Sequence, residues 1–106
     1  MNKEEIEKLP EQIKDASLKA QQIANTIPTT DKLIAQLELE ATAQAAGKNE
    51  TERKVARENQ LAQNTNYQTA LRQRQQLKEE FAAAQIEVAY QRDRLTVAKI
   101  LAELKE

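Results

Sequence analysis

Gly47-Lys48 is the one place in this chain where a glycine-built phosphate loop could be sought. A phosphate-gripping loop needs a Gly, four residues, Gly-Lys, then Ser or Thr. Its backbone N–H groups cradle the phosphates and its hydroxyl takes the magnesium. Here the first glycine position holds Thr42, and Asn49 follows Lys48. The preceding LELEATAQAA reads as helix where that loop requires a strand. The other reading accounts for each residue: Gly47 takes the left-handed conformation that ends a helix, and Asn49 caps the next one, with Glu52 at capping-box spacing.

Acidic pairs offer a second chemistry, metal binding or acid–base work. Glu79 and Glu80 are adjacent, and Glu38 and Glu40 are two apart. On a helix neither pair converges, because residues one or two apart do not face each other. The chain has no histidine and no cysteine, so the commonest general base, the commonest metal ligand and thiolate chemistry are all missing. No catalytic residue, cofactor or metal site is expected, and no small-molecule substrate. Asn49-Glu50-Thr51 matches a glycosylation acceptor, but no secretory signal accompanies it.

Basic residues supply the remaining candidate. Residues 48 to 78 hold seven basic side chains against three acidic ones, with no acid between Glu58 and Glu79. Arg53, Lys54, Arg57, Arg72, Arg74 and Lys78 could track a phosphate backbone. The alternative is a solvated hairpin tip whose charges keep the ends soluble. Only Tyr67 offers a ring within that stretch, whereas single-strand binders stack bases on several aromatics. The whole chain carries net charge −1, so general attraction to nucleic acid or anionic membrane is not expected.

The elements that would position any of these residues are helices. The chain is 106 residues long, with one glycine, two prolines and three aromatics. Ala, Gln, Glu, Lys, Leu and Arg dominate, and these lose little freedom in a helix. Ile6, Leu9, Ile13, Ala16, Ala20, Ile23 and Ile27 recur in steps of three and four, a heptad seam. Pro10 suits a first helical position, so the first helix is expected from about Pro10 to Asn25 behind a looser lead-in. Pro28 then stops the pattern, and Thr29, Thr30 and Asp31 supply caps for a second helix. Val55, Asn59 and Ala62 mark the face of a third. Asn64-Thr65-Asn66 makes a polar break.

From Asn66 to Lys105 there is neither Pro nor Gly. Tyr67, Ala70, Arg74, Leu77, Phe81, Ala84, Val88, Gln91, Leu95, Ala98 and Ala102 keep the three-four alternation. Such a seam must lie along another helix. Arg74 and Gln91 are polar seam positions, which can fix register. Near the C-terminus the stripe widens, as Val97, Ile100, Leu101 and Leu104 join Leu95. That width exceeds what one neighbouring helix covers, so these five residues are the expected protein interface.

Gly47, Asn49, Glu52, Arg53, Lys54 and Tyr67, followed by a long Ala/Glu/Arg/Gln helix with Arg92, Arg94 and Leu95 near its end, resemble small coiled-coil-like helical proteins encoded by phages and prophages. The resemblance covers roughly residues 31 to 106 and carries no functional residues. Such proteins generally lack an assigned activity. Some lie near replication or recombination genes, which implies an accessory role.

The expectation is an all-α protein: an elongated antiparallel helical hairpin, coiled-coil-like, with an additional N-terminal helix. Residues 1–28 form the N-terminal segment and 29–106 the hairpin, with helices at about 31–46, 50–63 and 66–105. MNKEEIEKLP lacks the apolar core of a signal peptide. No apolar run approaches the ~18 residues of a membrane span. A cytoplasmic protein, with no membrane partner, is expected. The expected function is non-catalytic: a helical interaction or adaptor protein that forms a homo-oligomer, most simply a dimer, and meets an unidentified protein partner. The second reading is an accessory nucleic-acid-binding protein using the basic patch.

Overall fold

Three helices build the chain in the computed structural model, which describes residues 2–104. Helix α1 is Lys3–Gln44, α2 is Glu50–Gln63 and α3 is Thr65–Leu104. No strand occurs among the described residues. The fold is an all-α antiparallel helical hairpin.

Helix α1 differs from expectation at both prolines. It begins at Lys3 because Asn2 caps it: the Asn2 Oδ1 accepts from the Glu5 backbone N–H at 2.8 Å. Residues 3–9 are therefore helix rather than a looser lead-in, and Pro10 lies well inside α1. The break expected at Pro28 does not exist. The N-terminal segment and the next helix, expected at 31–46, form one continuous element that ends at Gln44.

The seam explains why. After Ile27 the register continues without a phase change through Thr30, Ile34, Leu37 and Ala41, all buried or half-buried. Proline withholds one backbone N–H, and here that loss is outweighed by a stripe that needs the helix to continue. Thr30 is a seam residue and not a cap. Its hydroxyl donates to the Thr26 carbonyl at 3.5 Å, so its polar group is satisfied inside the helix.

The contacts divide the chain into two units. One pairs the chain up to Ala24 with the chain from Glu79 onward. The other is Asn25–Lys78. In the first unit, Leu9 is fully buried, and Ala84, Val88 and Ala98 are the buried apolar residues of α3. Alanines at Ala16, Ala20, Ala84 and Ala98 keep the seam narrow. Gln91 is 9% exposed on this seam. Its Nε2 donates to Glu87 Oε1 at 2.8 Å and its Oε1 accepts from Arg94 at 3.4 Å, so a buried amide is paired at both ends.

In the second unit, Ile34, Ala41, Leu61 and Ala70 are the buried apolar residues. Arg74 lies on the α3 seam and is answered from α1 by Asp31, at 3.6 Å. That ion pair ties one register of the two helices, although with both side chains partly exposed its energy is small. Helix α2 packs through Leu61, flanked by half-buried Ala56, Arg57 and Gln60. The face expected from Val55, Asn59 and Ala62 points outward; all three are exposed.

Asn64 joins α2 to α3 with no other residue between them. Its side chain accepts from the Tyr67 N–H at 3.1 Å, while its own N–H donates to the Leu61 carbonyl at 3.2 Å. One asparagine therefore ends one helix and starts the next.

Candidate functional site

The connection between α1 and α2 holds Gly47-Lys48 between two helices. Asn49 is extended at φ −144° and its Oδ1 accepts from the Glu52 N–H at 2.9 Å. Glu52 in return accepts from the Lys48 N–H at 2.7 Å. This is the expected capping box, with the return bond one residue further out than usual. The conformation expected of Gly47 is corrected: its φ is not positive. Glycine is needed there for room. A Cβ on Gly47 would stand 2.7 Å from Glu52 Cβ and 2.9 Å from the Arg53 backbone nitrogen.

The six basic candidates all fall in the Asn25–Lys78 unit, and the fold brings three of them, Arg53, Lys54 and Arg57, to one groove with Thr42, Ala45, Glu50 and Thr51. Arg57 is half-buried against α1, donating from Nε to Thr42 Oγ1 at 2.9 Å and pairing with Glu38 at 3.4 Å. Arg74 is held by Asp31. Arg53 reaches back to the Gly47 carbonyl at 3.4 Å. Lys54, Arg72 and Lys78 are exposed. Arg72 and Lys78 lie six residues apart on α3, so they point in different directions. Helix α1 brings Asp31, Glu38 and Glu40 into the same unit. Across residues 25–78 the balance becomes eight basic against six acidic side chains.

The apolar candidates behave differently. Leu95 is half-buried, on the seam that α3 turns toward α1. Val97, Ile100, Leu101 and Leu104 are exposed, Leu104 at 78%. At about 100° per residue, these four lie roughly 140–240° around the helix from Leu95. The structure thus separates them: Leu95 faces the partner helix, and the other four face away from it.

Two further residues belong with those four. Ile86 is 70% exposed and Tyr90 is 55% exposed. Ile86, Tyr90, Asp93, Val97, Ile100 and Leu104 follow one another in steps of four, three, four, three and four. That is a second heptad seam, three turns longer toward the N-terminus than the stripe read from the sequence. It lies nearly opposite the seam Ala84, Val88, Gln91, Leu95 and Ala98. Arg94 borders it, with its guanidinium carbon 5.8 Å from the centre of the Tyr90 ring. Ile86 and Tyr90 fall outside the stripe expected from the sequence, which extends the first alternation only. A second alternation, offset by two residues, was the signal that could have found them.

No protein-family model matches this chain, and no curated protein or solved structure matches it. Among the described residues, no helix is long and apolar enough to cross a membrane.

Proposed function

We propose that this chain is a non-catalytic helical interaction protein, an adaptor or accessory subunit of the phage and prophage kind that it resembles. It acts by helix-on-helix association through α3, and it self-associates, most simply as a dimer. The observation that carries this reading is the second apolar seam. Scattered apolar residues on a surface need no explanation, but a contiguous stripe does. A stripe at heptad spacing is the form another helix recognises.

The basic side chains support the nucleic-acid reading less well. Arg57 and Arg74 are engaged by acids of α1, and Arg53 is turned to the Gly47 carbonyl.

Sedimentation of the Leu101→Glu variant tests the proposal. Leu101 is exposed beside the seam, so glutamate there leaves the hairpin intact and places charge at the contact. The sedimenting mass should fall from that of the oligomer to that of one chain. An unchanged mass removes this face from the reading.

A further inference from the structure

The groove between the end of α1 and the first two turns of α2 is rich in hydrogen-bond donors and poor in acceptors. We infer that it binds a terminal phosphate group, carried by a small phosphate ester or a diphosphate. This goes beyond the interaction reading and does not depend on it, because the groove belongs to the Asn25–Lys78 unit and the apolar seam of α3 to the other.

One face of α2 carries the charge. Glu50, Arg53, Lys54 and Arg57 stand at i, i+3, i+4 and i+7, which puts them on the same side of the helix. All four line the groove, together with Thr42 of α1. From Arg53 to Arg57 the rise along the helix axis is about 6 Å, so the three cations share little more than one turn.

Arg57 is fixed in advance. Its Nε donates to Thr42 Oγ1 at 2.9 Å, and one terminal nitrogen donates to Glu38 Oε2 at 3.4 Å. Thr42 in turn donates to the Glu38 carbonyl at 2.9 Å. A guanidinium already held in place loses little freedom when a ligand arrives.

The donors outnumber their partners. A guanidinium has five N–H donors and an ammonium three. The other terminal nitrogen of Arg57 has no partner among the described residues. Arg53 gives one donor to the Gly47 carbonyl, at a long 3.4 Å. No carboxylate of the described residues pairs with Arg53 or Lys54. Glu50 is the single acid among the lining residues.

A terminal phosphate matches this excess. It carries close to two negative charges and three strong acceptor oxygens. A carboxylate brings one charge and two oxygens, and serves one guanidinium. A phosphate inside a nucleic-acid strand carries a single charge. A strand would also need rings to stack on and cations beyond the groove. None of the lining residues is aromatic, and Arg72, Arg74 and Lys78 are not among them.

Titration calorimetry of the full chain at low ionic strength tests the site, with inorganic phosphate and pyrophosphate as probes. Both should bind one to one, and added salt should weaken both. Lys54→Glu and Arg53→Gln should each weaken pyrophosphate binding by roughly tenfold or more. Glu50→Gln should strengthen it severalfold by removing a like charge. Arg72→Glu, outside the groove, should leave it unchanged. All four side chains are exposed, and circular dichroism checks that each variant is folded. No binding heat and no rise in Tm with millimolar pyrophosphate overturns the inference. An equal loss in Arg72→Glu also overturns it, because that marks diffuse attraction. Acetate bound as tightly as phosphate overturns the assignment to phosphate. A thymidine oligonucleotide without terminal phosphate that binds more tightly than pyrophosphate, and weakens in Arg72→Glu, puts a strand in place of this ligand. The sedimenting mass of the groove variants should equal that of the parent chain, so failure of this site and failure of the seam read out separately.

Discussion

Replacing Pro28 by alanine should make this protein more stable, and the sign of that change tests the fold itself. Pro28 lies in the interior of α1, far from either end, and its ring is exposed. Alanine therefore gives up little packing and restores an N–H that can donate to the carbonyl of Ala24. Proline in a helix interior lies about 3 kcal/mol below alanine. Removing it also frees the unfolded chain, which offsets the gain by about 0.4–1 kcal/mol. The net gain is on the order of 2 kcal/mol, equivalent to a rise of roughly 10 °C in Tm for a chain of this size. Urea unfolding followed by far-ultraviolet circular dichroism measures it, with the slope checked to show that the unfolding transition is unchanged. If Pro28 instead stood between two helices, only the unfolded-state effect would remain. The variant would then lose up to about 1 kcal/mol. A loss, or no change, would refute a continuous α1. Pro10→Ala, also inside α1, should move stability in the same direction.

Two further substitutions probe how α2 is seated. Leu61→Ala should cost about 2–5 kcal/mol, because Leu61 is the buried apolar residue of α2, whereas Val55→Ala, on the exposed side, should stay within about 0.5 kcal/mol; comparable losses in denaturant melts would mean that the packed face has been misassigned. Gly47→Ala should destabilise by about 1–3 kcal/mol, because its Cβ meets backbone as well as side chain of the first turn of α2; a stabilised variant in the same assay would show that the connection has room to spare.

Much of this architecture could be read directly from residue spacing. The seams of α1 and α3, the capping box at Asn49 and the break at Asn64 all follow from local rules, since heptad spacing and cap geometry involve residues within a few positions of one another. The start of α1 was legible too, in Asn2 and Glu5 at capping spacing, although Pro10 by its own chemistry suits a later first turn. Pro28 shows the limit of local rules. Its own chemistry says stop, and only the partner helix, which rewards an unbroken Ile27–Thr30–Ile34 stripe, decides that the helix continues. Gly47 shows the same limit in a different form: its type was legible as punctuation, but the crowding that demands it comes from Glu52 and Arg53 folding back over it.

The candidate interface divides along the same line. Composition and spacing by themselves determined that this is a helical chain, that its long C-terminal helix needs company, and that apolar residues cluster near its end. Which of those residues are already covered is a question of angle around the helix, and angle has meaning only once a neighbour is in place. The packing of α1 against one side of α3 took Leu95 into the hairpin and left Val97, Ile100, Leu101 and Leu104 on the far side with Ile86 and Tyr90. Likewise, a count of charges along residues 48 to 78 suggested a basic patch, but tertiary structure brought Asp31 and Glu38 to Arg74 and Arg57. Spacing along a chain specifies periodicity; burial and charge pairing depend on what comes to lie beside it in space.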